Sequence, residues 1–232
     1  SINTTLAFAL ALTLSLILKF WLASRQIRHV AQNRSAVPPA FAGKVSLAAH
    51  QKAADYTMTK TRFGLLELAW GAAIVLAWTL LGGLSYVNEW LADVMGHGIV
   101  QQVCLLVAFM AIGSLLDLPF TLYQTFVIEE RFGFNKTSLN LWLQDFAKSL
   151  LLSALIGIPF ITLVIWMMGA TGPWWWLWVW GVWMGFNLLA LLIYPTLIAP
   201  LFNKFQPLDD PDVKKRVSQL MARCGFTSKG FF

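Results

Sequence analysis

The feature that most constrains this chain is a series of apolar runs, each about as long as a bilayer is thick. A helix needs roughly 20 apolar residues to cross a hydrocarbon core of about 30 Å. The last run opens with tryptophans at 174–176, and such aromatic clusters mark membrane interfaces. We predict an all-α membrane protein with about five transmembrane helices. The predicted spans are residues 6–22, 65–84, 100–122, 150–168 and 174–195.

Composition and charge support this class. Charged residues make up 12% of the chain, against about 25% in soluble domains. Lys and Arg number seven in residues 23–64, none in 85–99, three in 123–148, none in 169–173 and six in the tail. By the positive-inside rule, this alternation places the N-terminus outside and the tail in the cytoplasm. The net charge of +6 therefore reports topology, and we expect no nucleic-acid partner.

The first run is expected to be a retained span. A cleaved signal peptide carries its basic residues before the apolar run, whereas here Arg25, Arg28 and Arg34 follow it. The two cysteines, Cys104 in a span and Cys224 in the tail, are not expected to form a disulfide.

The tail contains a predicted short, cytoplasmic, amphipathic helix. Asp210 can cap it, Pro211 suits its first turn and Gly225 can end it. Its apolar stripe needs a partner, and residues 230–232 are typical of the start of a strand. We therefore divide the chain into a five-span membrane domain at 1–205 and the start of a truncated cytoplasmic domain at 206–232. Residues 198–205 are predicted to be a connector that follows the membrane surface.

Several local features are predicted in the loops and spans. Ser46 is expected to cap a helix, Gly133 to permit a bend, and Asn135 to cap a helix over 136–146. The regions 85–99 and 123–148 are otherwise assigned as loops. Small residues recur every fourth position in the last two spans, which favours close helix packing. They are Ser149, Ser153 and Gly157, then Gly181 and Gly185.

Polar residues within the spans are candidates for a functional interior. Glu67 lies near the start of the second span and Asp117 near the end of the third. Because these spans run in opposite directions, both acids are expected toward the cytoplasmic side. They either line a polar chamber or reach interfacial water. Asn187 lies in mid-span and is expected to bond to a neighbouring helix.

No metal site is predicted within this chain. Its histidines are His29, His50 and His97, and none begins an H-E-x-x-H motif. On the predicted topology, His97 lies on the opposite side of the membrane from the other two, so the three cannot share a metal.

Three stretches carry a resemblance to a known family. They are LPFTLYQTFVIEERFGFNKT at residues 118–137, IAPLFNKFQPL at 198–208, and the helix that ends at 224–226. The sequence HQKAADY at 50–56 adds to them. In this order they resemble the N-terminal membrane region of type I CAAX prenyl endopeptidases, which are integral-membrane zinc metalloproteases of the gluzincin type.

The resemblance implies a hollow intramembrane chamber and a zinc domain on the cytoplasmic side. In the intact enzyme that domain would hold zinc and hydrolyse peptides, including prenylated proteins. This chain contains no H-E-x-x-H, so we expect it to bind no zinc and to be inactive alone. The expected partners are the lipid bilayer, the missing zinc domain and the substrate. Positions that match the family's motifs, without an assigned role, are Glu129, Glu130, Gly133, Phe134, Asn135, Lys136, Pro200, Phe202 and Asn203. Possible chamber-lining residues are Glu67, Asp117 and Asn187.

Two other functions stay open at this level. A small transporter or channel subunit would place Glu67, Asp117 and Asn187 on a permeation path, and a non-catalytic membrane scaffold would need none of them. The short loops favour a bacterial inner membrane, with the endoplasmic reticulum as the site of a eukaryotic member.

Overall fold

The computed structural model describes residues 2–202 and 210–225, and these residues form helices and short connections without any β-strand. Five of the helices are long and apolar enough to cross a membrane, which confirms the predicted five-span, all-α class. The helices in chain order are α1 (Ile2–Gln32), α2 (Leu47–Thr79), α3 (Gly83–Met95), α4 (Ile99–Phe132), α5 (Leu139–Ala170), α6 (Gly172–Ile193) and α7 (Pro211–Arg223).

The long helices extend beyond the predicted spans. Helix α2 has 33 residues and α4 has 34, so each is about 50 Å long at 1.5 Å per residue. The predicted cap at Ser46 is confirmed, because its side chain accepts a hydrogen bond from the Ala49 amide at 3.2 Å. The assignment of 123–148 as a loop is wrong at its start. Helix α4 continues to Phe132 through a π-helical turn at Gln124–Glu129.

The assignment of residues 85–99 as a loop is also wrong, because most of them lie in α3. Its apolar side chains recur at helical spacing, and Leu91 is only 5% exposed. The glycines on either side, Gly82 and Gly96, have φ angles of 80° and 74°, which let the chain change direction. The buried Gln101 amide donates to Asn88 Oδ1 at 2.6 Å and so ties the start of α4 to α3.

Helix α5 joins two predicted elements into one. It is continuous over Leu139–Ala170, so the helix expected at 136–146 and the fourth span are a single rod. The predicted cap at Asn135 is wrong. Ser138 takes that position, and its hydroxyl accepts a hydrogen bond from the Leu141 amide at 3.3 Å.

The small residues of α5 do not make the close helix contact that was expected. Ser149, Ser153 and Gly157 line a cavity of about 280 Å³ whose other wall is formed by residues of α4. Gly181 and Gly185 lie within α6, and the close packing expected of them stays a prediction. Small side chains permit close approach, but they do not produce it without an apposed surface.

The chain divides into two compact units, Ser1–Ile165 and Trp166–Phe232. In the first, a small core contains Phe63, Ile128 and Phe132, with Tyr56 and Phe120 packed against it. In the second, α6 continues through a π-helical turn at Tyr194–Ile198 into a short helix at Ala199–Phe202. The start of the predicted surface connector is therefore helical.

Helix α7 begins after Asp210 and ends before Gly225. The Asp210 carboxylate accepts hydrogen bonds from the amides of Asp212 and Val213 at 2.9 and 3.1 Å. Pro211 is the first residue of the helix, and Gly225 follows it with φ 74°. Its cytoplasmic location stays a prediction, and the strand expected at 230–232 lies outside the described residues.

Ile128 gives a direct test of the small core. Ile128→Ala should lower the free energy of unfolding by about 2–4 kcal/mol, because Ile128 is 2% exposed and its truncation leaves a cavity. Val127→Ala is the matched control, since Val127 is 45% exposed, and its cost should stay below about 1 kcal/mol. Thermal unfolding in detergent micelles measures both. Equal losses in the two variants would show that the core does not lie here.

Candidate functional site

Helices α2 and α4 pack side by side in opposite directions. Contacts between the two helices recur about every seven residues, and the residue numbers rise along α2 as they fall along α4. The Trp70 indole donates to the Leu116 carbonyl at 3.1 Å, and the Phe63 and Tyr123 rings stack at 5.2 Å. Taken along α2, the contacts are Tyr56 with Glu129, Phe63 with Tyr123, Trp70 with Leu116, and Trp78 with Phe109.

The pair ends in a group of side chains that we call the Glu129 cluster: Tyr56, Lys60, Glu129, Phe132 and Phe134. The Tyr56 hydroxyl donates to Glu129 Oε1 at 2.8 Å. Lys60 Nζ donates to the Tyr56 oxygen at 3.0 Å and to the same Glu129 oxygen at 3.3 Å. The Glu129 side chain is 19% exposed, so these bonds replace most of the water that a carboxylate would otherwise hold.

The backbone of Glu129 holds the turn that follows it. Its carbonyl accepts hydrogen bonds from the amides of Phe134 at 2.8 Å and Asn135 at 3.2 Å. This closure reverses the chain within three residues, and Gly133 supplies the reversal with φ 81°. The predicted bend is confirmed. One residue thus binds α2 through its side chain and ends α4 through its main chain.

Aromatic rings enclose the Tyr56 hydrogen bonds. Phe132 and Phe134 meet the Tyr56 ring edge-on, with centroids 5.2 and 4.9 Å away. Phe132 is 7% exposed and Phe134 is 60% exposed. Edge-on pairs of this kind each contribute about 0.5–1.5 kcal/mol beyond the area that they bury. The sequence FGF at 132–134 therefore places two rings against Tyr56.

Asn135 stabilises the exit from the turn. Its side-chain oxygen accepts from the Thr137 amide at 2.8 Å, and its side-chain nitrogen donates to Glu130 Oε2 at 2.8 Å. The first bond is an Asx turn, which explains why asparagine is suited to this position without capping α5. Lys136 next to it is exposed.

An ion pair joins the connection after α1 to α2. Arg34 donates to both carboxylate oxygens of Asp55, at 2.7 and 2.8 Å. Hydrogen bonding to this carboxylate raises the pKa of the Arg34 guanidinium. His50 Nε2 lies 2.9 Å from the Asn33 carbonyl, so two contacts fix the same connection.

The structure places the predicted intramembrane acids at one level of the α2–α4 pair. Glu67 lies within one turn of Trp70, and Asp117 follows Leu116, the residue that Trp70 contacts. Glu67 is half-buried and Asp117 is exposed. The two acids lie one to two turns further along the helices than the core pair Phe63 and Tyr123, so they are separate from the Glu129 cluster.

The other predicted positions lie in the second unit. Pro200 and Phe202 belong to its short helix Ala199–Phe202, and Asn203 is outside the described residues. The Asn187 amide donates to the Trp183 carbonyl of its own helix at 2.7 Å, a local bond to the preceding turn of the kind that asparagine can make. The expected bond to a neighbouring helix stays a prediction.

No metal-ligand set is present in the described part of the chain. Residues 2–202 and 210–225 bring together no group of three or more His, Cys, Asp or Glu side chains that could hold a metal ion. The described residues therefore do not offer a ligand set that fits a zinc site.

Sequence reasoning singled out Glu129, Gly133, Phe134 and Asn135 as family-motif positions without a functional role, and it did not select Tyr56 or Lys60 as site residues. The signal in the sequence was that both partners of one hydrogen bond lie in stretches that resemble the family, Tyr56 in HQKAADY and Glu129 in EERFGFNK. Tyr56 and Glu129 are 73 residues apart, so only the fold shows that they meet.

Tyr56→Phe tests the contribution of the buried hydroxyl. The change should cost about 1–2 kcal/mol of stability, since it removes one donor to a largely buried carboxylate. In a double-mutant cycle with Glu129→Gln, the two effects should not add. Tyr123→Phe is the control, because the Tyr123 hydroxyl makes no hydrogen bond to any described residue. Additive losses would contradict the predicted bond.

Gly133→Ala tests the backbone requirement of the turn. We expect a loss of about 1–2 kcal/mol, which is the cost of left-handed backbone for an L-residue. An added Cβ would meet only Lys52 Nζ, at 3.9 Å, so crowding does not contribute. Gly64→Ala, in the regular part of α2, should be neutral or stabilising. If both variants unfold at the same temperature, the turn does not need the left-handed conformation.

Comparisons with known proteins agree with this architecture. The sequence model described as the N-terminal part of CAAX prenyl proteases, with five membrane helices, matches residues 26–204. CAAX prenyl protease 1 homolog of Oryza sativa subsp. japonica is 31% identical over 223 residues, covering 88% of this chain and 50% of the relative. CAAX prenyl protease 1 of Saccharomyces cerevisiae is 30% identical over 217 residues, covering 89% and 47%.

A solved structure gives the same result. The crystal structure of S. mikatae Ste24p matches with a TM-score of 0.81 and 28% identity, covering 95% of this chain and 53% of that one. The chain thus spans about half the length of the relatives that it matches. With five membrane helices in the expected order and a family match over most of its length, the chain belongs to the CAAX prenyl protease N-terminal family.

Proposed function

We propose that this chain is the membrane-embedded N-terminal part of a zinc metalloendopeptidase, and that it forms part of the wall of an intramembrane chamber. Support comes from the family membership and from relatives that are named CAAX prenyl proteases. The substrate of the intact enzyme is then a peptide or a prenylated protein. Zinc would be held by the remainder of the enzyme, which corresponds to the half of each relative that this chain does not cover.

The observation that carries the proposal is the pairing of α2 with α4, which ends in the Glu129 cluster. A helix needs about 20 residues to cross the bilayer core, whereas these two have 33 and 34. The extra length lies at the end that carries the cluster. A braced pair of helices that continues beyond the lipid is a suitable anchor for a zinc domain. We assign residues 1–205 to the membrane domain and 206–232 to the start of the zinc domain.

The proposed orientation has the N-terminus outside and the C-terminus in the cytoplasm. The cations of residues 23–64 and 123–148 support it, because α1, α2, α4 and α5 all place their basic ends together. In a bacterial member this membrane would be the inner membrane, and in a eukaryotic one the endoplasmic reticulum.

Glu67, Asp117 and Asn187 are the proposed chamber-lining residues. The two acids support this role by lying at one level on neighbouring helices, close to the predicted cytoplasmic boundary. Polar residues within spans usually face a protein interior or a water-filled cavity. The same placement favours the alternative, a transporter or channel subunit. That alternative predicts ion flux into liposomes that is lost in Asp117→Asn.

The first experiment uses the chain alone. Purified residues 1–232 should hydrolyse no prenylated CaaX peptide and should contain no stoichiometric zinc by elemental analysis. The physical reason is that its described residues offer no ligand set for the metal. Tight binding of zinc, or hydrolysis of the peptide by this chain alone, would contradict the proposal that the remainder of the enzyme holds the zinc.

The second experiment tests the anchor. A chimaera should join this chain to the part of S. cerevisiae CAAX prenyl protease 1 that it does not cover. It should hydrolyse a prenylated CaaX peptide, and Tyr56→Phe should lower that activity more than Tyr123→Phe does. A chimaera that folds and binds zinc but never hydrolyses the peptide would contradict the proposed chamber and anchor.

A further inference from the structure

The end of the first unit that carries residues 23–64 and 123–148 is strongly cationic, and we call it the cationic end. It contains ten Lys and Arg residues and four Asp and Glu residues. Each of the four acids already accepts a hydrogen bond within the structure. Asp55 bonds to Arg34, Glu129 to Tyr56 and Lys60, Glu130 to Asn135, and Asp145 to Lys148. With ten cations and four acids in these two segments, six positive charges exceed the number of acids that could neutralise them.

Two cations flank the Gly133 turn. Lys52 Nζ lies 3.9 Å from the position of a Cβ on Gly133, and within residues 2–202 and 210–225 it forms no hydrogen bond or ion pair. Arg131 lies over the Phe132 ring at 5.8 Å and attracts Asp55 electrostatically. Both carboxylate oxygens of Asp55 already accept hydrogen bonds from Arg34, so Asp55 neutralises the Arg131 charge only in part. Both side chains are exposed.

The position of these cations along the helices selects their partner. Lys52 lies 13 residues before the predicted start of the second span at 65, which is about 20 Å along the helix. Arg131 lies nine residues after the predicted end of the third span at 122, which is about 13 Å. The headgroup layer on one side of a bilayer is only about 5–8 Å thick. Lipid phosphates therefore reach the level of Lys60 and Arg62, and not that of Lys52 and Arg131.

We propose that Lys52 and Arg131, on the two sides of the Gly133 turn, form a docking point for an acidic segment of polypeptide. The Glu129 cluster holds the backbone of the turn against α2, so the two cations stand on segments that are tied together. Carboxylates from a bound peptide would complete the ion pairs that the fold leaves open. The inference depends on charge and geometry and does not depend on peptidase activity.

The experiment measures binding of a fluorescent poly-glutamate peptide to the full chain in nanodiscs of phosphatidylcholine, which carry no net lipid charge. We expect salt-sensitive binding that is abolished near 1 M salt, where the Debye length falls to about 3 Å. The variant K52Q/R131Q should bind roughly tenfold more weakly, from the loss of two ion pairs. A poly-glutamine peptide should not bind.

The matched control is K214Q/K215Q, which removes the same charge from exposed positions on α7 and should bind the acidic peptide as the unchanged chain does. A charge reversal, K52E/R131E, guards against simple misfolding, because it should gain affinity for a poly-lysine peptide. Equal loss in both glutamine variants would overturn the proposal, since it would show binding through net charge alone.

An anionic lipid is the alternative partner, and the same variants distinguish lipid binding from peptide binding. Retention of phosphatidylglycerol by the purified chain, measured by mass spectrometry, should be unchanged in K52Q/R131Q. It should fall when Arg62, at the predicted membrane boundary, is changed to Gln. If K52Q/R131Q loses the lipid and keeps the peptide, the docking point belongs to the membrane surface and the proposal fails.

Discussion

The hydrogen bond from the Tyr56 hydroxyl to the Glu129 carboxylate is the contact on which the rest of the first unit depends. It joins the beginning of α2 to the end of α4, and the same glutamate closes the backbone turn with its carbonyl. In the middle of a bilayer, helices gain little from the hydrophobic effect because lipid tails are as apolar as their side chains. Polar bonds and ring packing at the helix ends therefore determine which helices stay together.

The contacts below this bond are mainly aromatic. Phe63 stacks on Tyr123, Trp70 on Phe120, and Trp78 meets Phe109 edge-on. They hold two 50 Å helices in register along most of their length. The pocket between α4 and α5, with its small side chains, shows the opposite arrangement, in which helices lie apart and leave a space. The first unit thus combines one pair of helices that is joined through long polar and aromatic side chains with one open seam.

Sequence reasoning predicted those features that local rules determine. The number of spans follows from apolar length, and the caps at Ser46 and Asp210 follow from side-chain chemistry one turn away. Gly133 follows from the backbone that a tight turn needs. The predictions failed where contacts with other residues in the fold determine the local structure. Asn135 was expected to cap a helix, but its side chain bonds to Glu130 and to the Thr137 amide instead. Helix α3 was predicted to be a loop because its single buried stripe is short.

The candidate site itself was only half predictable. The EERFGFNK stretch was selected as a motif, but the side-chain bonds of its Glu129 are made with Tyr56 and Lys60, which belong to another helix. No spacing rule connects residues 73 positions apart, since only the antiparallel packing of α2 and α4 brings them together. The Asn187 bond is the converse case, because the Trp183 carbonyl that accepts it lies one turn away in the same helix.

Hydrogen–deuterium exchange at the amides of Phe134 and Asn135 tests the central claim most directly. Both amides donate to the Glu129 carbonyl in a turn that is held against α2. They should exchange slowly in the unchanged chain, and their exchange should accelerate when Tyr56 loses its hydroxyl. Exchange at the rate of an unstructured peptide in the unchanged chain, or protection that is indifferent to Tyr56, would contradict the account.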